Sequence, residues 1–313
     1  MITIWVPKRL VEIDLYNVAA CSPQQLAQLS EHSYAQRVNY AAEKIRMSGA
    51  KIVMLTGPSA SGKTTSAHCI AKALQKRGTP AQVVSLDNFF KGAEFYPRLP
   101  DGTLDYENPD TLDLPLIKQC LRELSETGKT TLPVYDFSAE KRSDKAEPID
   151  LQGGVCLVEG IHALNDDIAG PHPEAAKLYI SARSNVNDGA ALRFKGTWMR
   201  LTRRAVRDYS FRGTGVADTL EMWANVRRGE KLYISPYKNR ADIIFDSSLP
   251  YEVSVMKNFA LPLLQAVPEE NARRGELLEL IEAFQWFEPI DPELVPVDSL
   301  LREFIGGGSY KYH

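Results

Sequence analysis

The sequence predicts a doubly wound α/β fold, a parallel sheet with helices on both faces, and helical additions at each end. Three observations lead there. Short apolar runs at residues 51–55, 81–86, 154–158, 177–181 and 241–245 read as buried strands. Helical patterns at residues 64–76 and 114–125 alternate with the early runs, and strands separated by helices imply a parallel sheet. Between the first run and the first of those helices lies a glycine-containing stretch, so the order there is strand, loop, helix.

Residues 1–50 hold one clear element. Ser22-Pro23 is a good cap and first position for a helix reaching about Met47, and Gly49 is its stop. An amphipathic helix covering a sheet edge is the expected role. The loop after residue 55 is Gly57-Pro58-Ser59-Ala60-Ser61-Gly62-Lys63-Thr64, which fills every position of the G-x-x-x-x-G-K-[ST] pattern and is followed by Thr65. Glycine at 57 and 62 lets the backbone turn tightly, so successive N–H groups point at phosphate oxygens while the helix N-terminus adds partial positive charge. Lys63 then reaches the outer phosphates and the Thr64 hydroxyl can ligate magnesium. Residues 57–65 are therefore the expected nucleotide cradle of a P-loop domain at 51–250, with ATP and Mg2+ as cofactors.

Residues 130–135 read as a further short strand, broken by Pro133. Ligands of parallel sheets sit at the carboxyl ends of the strands, which directs attention to two acids. Asp87 follows the second run in Ser85-Leu86-Asp87-Asn88-Phe89-Phe90, and Glu159 follows a later one in Val158-Glu159-Gly160-Ile161-His162. Beside a bound nucleotide, a carboxylate can hold the metal or accept the proton of an attacking hydroxyl. Either acid alone is equally a cap or turn residue. Two at matching strand ends beside a glycine loop favour the chemical reading.

The densest basic segment runs from Arg200 to Arg212, within a lid expected at about residues 188–215. On a helix, Arg200, Arg203, Arg204 and Arg207 share one side. Such a stripe can clamp transferring phosphate oxygens; a solvated basic face and an RNA-contacting face are the other readings. Globally, 37 basic residues face 40 acidic ones for a net charge of -3, so no basic field argues for nucleic acid or a membrane surface. Cys21, Cys69, Cys120 and Cys156 are widely spaced, without a C-x-x-C pair, which fits buried free thiols in the cytoplasm. The start of the chain lacks the basic and apolar segments of a signal peptide, and no run is long enough to span a membrane.

Residues 57–65 and 85–90, Asp105-Tyr106-Glu107-Asn108-Pro109-Asp110, Pro133-Val134-Tyr135-Asp136-Phe137, Glu159-Gly160-Ile161-His162 and the arginine segment occur in the order seen in the uridine kinase and phosphoribulokinase family, which the chain resembles over about residues 45–250. It looks closer still to a bacterial uridine-kinase-like branch often fused behind a threonyl-tRNA-synthetase-like module, which is not seen here. That branch shares Val226-Arg227-Arg228-Gly229-Glu230 and the tail from Leu300 to Gly307. The resemblance implies that Asp87 is the base for the acceptor hydroxyl and lies near the metal, that Thr64 and Glu159 position magnesium, and that Arg203, Arg207 and Arg212 close over the phosphates. It places Tyr106, Glu107, Tyr135, Phe137 and Arg142 around a nucleoside pocket, with Arg204 on the substrate side. Two departures bear on the acceptor. The histidine that reads uracil in this family is absent from Ser138-Ala139-Glu140-Lys141-Arg142, and Glu107 stands where aspartate is usual. His162 is a candidate substitute for the missing donor.

Beyond residue 250 the chain is mostly helical, with a helix expected over residues 269–287, a proline-containing connector, a last short helix ending at Gly306, and a flexible tail at residues 306–309. The C-terminal extension at 251–313 reads as a structural cap or a homo-oligomer contact. The expected function is transfer of the ATP γ-phosphate to a hydroxyl of a small molecule, with a nucleoside leading. A sugar, sugar phosphate or polyol acceptor stays open, as does a nucleotide-dependent regulatory or RNA-associated module.

Overall fold

A computed structural model describes residues 10–136, 139–182 and 184–310. In chain order, β1 (Leu10–Glu12) and α1 (Ile13–Ala20) precede the long α2 (Pro23–Ser48), which ends on Gly49 at φ +68°. There follow β2 (Ile52–Thr56), α3 (Lys63–Gln75), β3 (Ala81–Ser85), α4 (Leu114–Thr127), β4 (Lys129–Asp136), β5 (Lys141–Asp150), β6 (Val155–Glu159), α5 (Asp166–Ala169) and β7 (Ala176–Ser181). The second half adds β8 (Asn185–Asp188), β9 (Ala191–Phe194), α6 (Gly196–Phe211), α7 (Val216–Gly229), β10 (Ile243–Asp246), α8 (Glu252–Gln265), α9 (Arg274–Gln285) and α10 (Arg302–Ile305).

The central sheet is parallel throughout, with the order β10-β7-β2-β6-β3. Its strands are buried on both faces, which explains why they read as continuous apolar runs rather than alternating ones. Along β2, Val53 and Leu55 point to one face and Ile52 and Met54 to the other. The first face is covered by α2, α3, α6, α8 and α9 and by the C-terminal residues Leu300 and Phe304. The second is covered by α4 and by Leu132 and Ile149 of β4 and β5. Burying each such aliphatic side chain contributes about 1.5–3 kcal/mol.

Three expectations are corrected. The strand at residues 130–135 is not part of the parallel sheet: β4 pairs antiparallel with β5 as a separate hairpin, and its register shifts between Pro133 and Tyr135, where proline offers no N–H to the ladder. The helix expected from residue 269 begins at Arg274, and α8, interrupted by Pro262, was not anticipated as a separate element. The run at residues 306–309 folds back on the body: the Ser309 amide donates to the Val297 carbonyl at 2.8 Å, and the Tyr310 ring stacks on His68. Among the cysteines, Cys120 and Cys156 are buried and free as expected, whereas Cys21 is exposed.

Candidate active site

Strand register brings the acids to the glycine loop. Glu159 pairs with Leu55 on one side and Ser85 on the other, so the carboxyl ends of β2, β3 and β6 are level. Asp87, two residues beyond Ser85, and Glu159 therefore face the loop that begins at Gly57. The Ser85 hydroxyl donates to Glu159 at 2.6 Å. Gly160 follows without a side chain because a Cβ there would stand 2.7 Å from that of Leu86.

The carbonyls from Pro58 to Gly62 are all engaged, three of them by side chains of α6 and of the segment after β10. Lys63 Nζ donates to Pro58 O at 3.2 Å, Arg200 to Ser59 O at 3.2 Å, Arg203 to Ala60 O at 3.4 Å, and Ser247 Oγ to Ser61 O at 2.6 Å, while Ser66 N takes Gly62 O at 3.0 Å. A peptide whose carbonyl is held on one side turns its N–H to the other, which suits a cradle of donors at the N-terminus of α3, while the Ser61 amide closes the turn on Pro58 O at 3.2 Å. Ala60 and Gly62 take positive φ, +56° and +79°, to complete the turn. A Cβ on Gly57 would meet the Ile180 carbonyl oxygen at 2.0 Å, so only glycine fits.

Charge gathers at one point in this cradle. Burial lowers the Lys63 pKa, opposed by the nearby carboxylates of Glu159, Asp87, Glu303 and Glu107. Burial, and then the negative charge of Asp87, pushes Glu159 up to about 7, with Lys63 and the Ser85 hydrogen bond acting the other way. Glu107 is also raised to about 7, by burial, against the attraction of Arg204 and Lys63. The donors fit magnesium: they are hard oxygens, and Glu159 and Asp87 are crowded enough to raise the pKa of Glu159, as expected of a pair that favours a cation. Among the described residues, no group of three or more acids, histidines or cysteines forms a complete metal cage.

The arginine segment differs from the expected lid. α6 packs its stripe inward, with Arg200, Arg203 and Arg207 buried. Arg203 is fully enclosed, pairs with Glu252, and donates to Ala60 O and Ser247 O, so it braces the loop from behind rather than closing over phosphates. Arg200 joins Glu230 at 2.9 Å. Arg207 bonds Asp208 at 2.7 Å. Arg212 stands at the rim, 42% exposed, and its field reaches Asp87. Arg204 links the two halves of the site: it donates to Ser59 Oγ at 2.9 Å and lies within the field of Glu107. A stripe turned inward is not a solvated basic face, and it offers little surface to RNA.

On the acceptor side, Tyr106 and Tyr135 belong to an aromatic wall that also contains Phe90 and Tyr96, with ring centroids 5.6–6.2 Å apart in successive pairs. The Tyr96 and Tyr135 hydroxyls are 3.3 Å apart. Sequence reading assigned no role to Phe90 or Tyr96; the first ends a quoted motif, and the second has no local signal. Arg142 is drawn to Asp113, the cap of α4, at 3.0 Å, which holds the hairpin to that helix. Phe137 lies outside the described residues. The buried Thr65 hydroxyl donates to Glu303. Glu107 packs against Gly229, where a Cβ would come within 2.2 Å of its own, and Arg228 reaches Asp105 at 3.2 Å, so the two motifs around residues 107 and 228 form one wall. His162 is buried beside Tyr233, its pKa lowered by burial to about 4 against the opposing effect of the Glu107 backbone. Glu107 Oε2 is unpartnered.

The tethered loop, its lysine and the carboxylates at the strand ends define a P-loop phosphotransferase with an alcohol group as acceptor. The chain belongs to the phosphoribulokinase and uridine kinase family, whose model matches residues 52–254. It is 30% identical over 208 residues to a uridine kinase of Lactobacillus johnsonii, an alignment covering 65% of this chain and 90% of that one. It is 28% identical over 207 residues to a uridine kinase of Mycoplasma genitalium, covering 65% and 88%. Among solved structures, a candidate fructose transport system kinase from Silicibacter sp. TM1040 shares the fold with a TM-score of 0.51 at 19% identity, over 66% of this chain and 98% of that one.

Proposed function

We propose that the chain is an ATP-dependent kinase that phosphorylates a hydroxyl of a nucleoside. The observation that carries the reading is the convergence on Lys63 of Asp87 and Glu159 from neighbouring strand ends, with Arg204 joining the loop to the acceptor-side Glu107. Asp87 accepts the proton of the attacking hydroxyl, and Lys63 with the loop amides stabilises charge on the transferring group. Arg212 adds positive charge at the rim, and Arg207 adds it from the buried face of α6, where it is paired with Asp208. Thr64, Asp87 and Glu159 would hold Mg2+, which when bound neutralises phosphate charge and orients the phosphates.

A nucleoside is favoured because the wall of Phe90, Tyr96, Tyr106 and Tyr135 offers aromatic surface to a flat base, and the curated relatives above are uridine kinases. Glu107 supplies an unpartnered oxygen for a hydroxyl or base edge, with His162 buried beside it. A site in the cytoplasm fits the free thiols. Among the described residues, no helix is long and apolar enough to cross a membrane.

The test is ADP production from Mg-ATP against a panel of nucleosides, pentoses, sugar phosphates and polyols, with Asp87→Asn as control. A nucleoside that stimulates turnover, with a loss of roughly 10² to 10⁴ in the variant, is the expected result. Stimulation by a sugar phosphate or polyol alone would replace the acceptor, and ATP binding without any stimulated turnover would replace the kinase reading with a regulatory one.

A further inference from the structure

The family match ends at residue 254, yet the segment at residues 297–310 lies directly on the nucleotide loop. Three contacts carry it there. Leu300 caps Gly62, where a Cβ would stand 2.6 Å from the leucine Cδ1. Glu303, 7% exposed, accepts from the buried Thr65 hydroxyl in the first turn of α3. Phe304 lies under the Arg203 guanidinium, 5.1 Å from its ring centroid, and Arg203 in turn holds the Ala60 carbonyl. The segment is itself pinned: a Cβ on Gly306 would meet the Phe211 ring at 2.8 Å, and Tyr310 stacks on His68 of α3 with centroids 5.6 Å apart.

Gly62 at φ +79° is the residue on which the cradle turns, and Thr65 is in the first turn of the helix whose amides face the phosphates. Both are clamped by a part of the chain outside the family-matched region. We propose that this C-terminal segment is a working part of the nucleotide site, with Glu303 a positioning residue that holds the first turn of α3 through Thr65 and so sets affinity for the nucleotide phosphates. The inference rests on the nucleotide-binding reading of the loop. It assigns to residues 297–310 the preorganisation that makes phosphate binding tight without any contact to the acceptor.

The test measures ATP binding by calorimetry, with and without Mg2+, alongside Tm. Glu303→Ala and Thr65→Ala are each expected to weaken ATP binding by about tenfold, and the double variant to be no weaker than either, because both remove one interaction. Glu303→Gln, which keeps an acceptor oxygen, should return the Kd to within about threefold of wild type. Leu300→Ala serves as a second probe of the clamp at Gly62 and should shift the same Kd in the same direction. An unchanged Kd in Glu303→Ala, even with a lowered Tm, would reduce the segment to a structural cap, and additive losses in the double variant would likewise sink the positioning role. Failure of the wild-type chain to bind ATP would overturn the nucleotide reading itself, an outcome distinct from wild-type binding that Glu303→Ala leaves intact.

Discussion

The nucleotide and acceptor halves of the site meet at Arg204, and they are built by opposite means. On the nucleotide half, the carbonyls of Ser59, Ala60 and Ser61 are held by buried Arg200, Arg203 and Ser247, and those of Pro58 and Gly62 by Lys63 and the first turn of α3. On the acceptor half, Glu107 Oε2 is buried without a partner. A satisfied scaffold fixes geometry in advance, whereas buried unpaired polar atoms are costly until a ligand pairs them. On the proposed assignment the phosphate side is prepared by the fold, and the acceptor side keeps polar atoms for a ligand to pair.

The largest effect should appear where the scaffold is cut. Arg203→Ala leaves Glu252 buried and uncompensated and releases Ala60, so unfolding free energy should drop by about 3–5 kcal/mol in a denaturant titration. A loss under about 1 kcal/mol would mean that the loop does not depend on its bracing from α6. Lys63→Ala should lower turnover by on the order of 10² to 10³ while Tm stays within a few degrees, since the lysine serves chemistry more than packing. Near-wild-type turnover would remove Lys63 from the phosphate contact. Glu107→Gln sharpens the other half of the comparison: the acceptor KM should rise about tenfold with ATP affinity unchanged, and equal losses for both ligands would erase the distinction between the halves.

The smallest effect is the pH dependence of the ligand-free chain. Glu159 and Glu107 titrate near 7 in the folded protein against an ordinary value of 4.5. A raised acid pKa means that the folded state holds protons the unfolded state has released, so stability is full below the unfolded value and is lost as pH rises through 7. Tm should fall by at least about 2–4 °C between about pH 5 and pH 7.5, and Glu159→Gln should flatten part of that slope. A Tm that climbs over this window would contradict the burial of these acids.

The helix boundaries around the loop, the cap at Gly49 and the five strands of the parallel sheet were legible because each depends on local pattern: apolar runs, glycine stops and a proline at a helix start. The β4–β5 hairpin was not, since residues 141–150 are mostly polar and their pairing depends on β4 rather than on any apolar period. The arginines of α6 were visible as a stripe, but helical spacing shows only that side chains share a face, not whether that face meets solvent or protein.

By itself, the sequence determined the phosphate cradle, the class of fold and the acids at the strand ends, because a glycine loop between strand and helix constrains chain geometry within a few residues. Only the tertiary structure decided that Arg203 braces the loop from within, that Arg142 ties the hairpin to α4, and that Glu303 reaches back to Thr65. Those contacts join residues tens to hundreds of positions apart, and which partner neutralises a buried charge is settled by packing that no local pattern encodes.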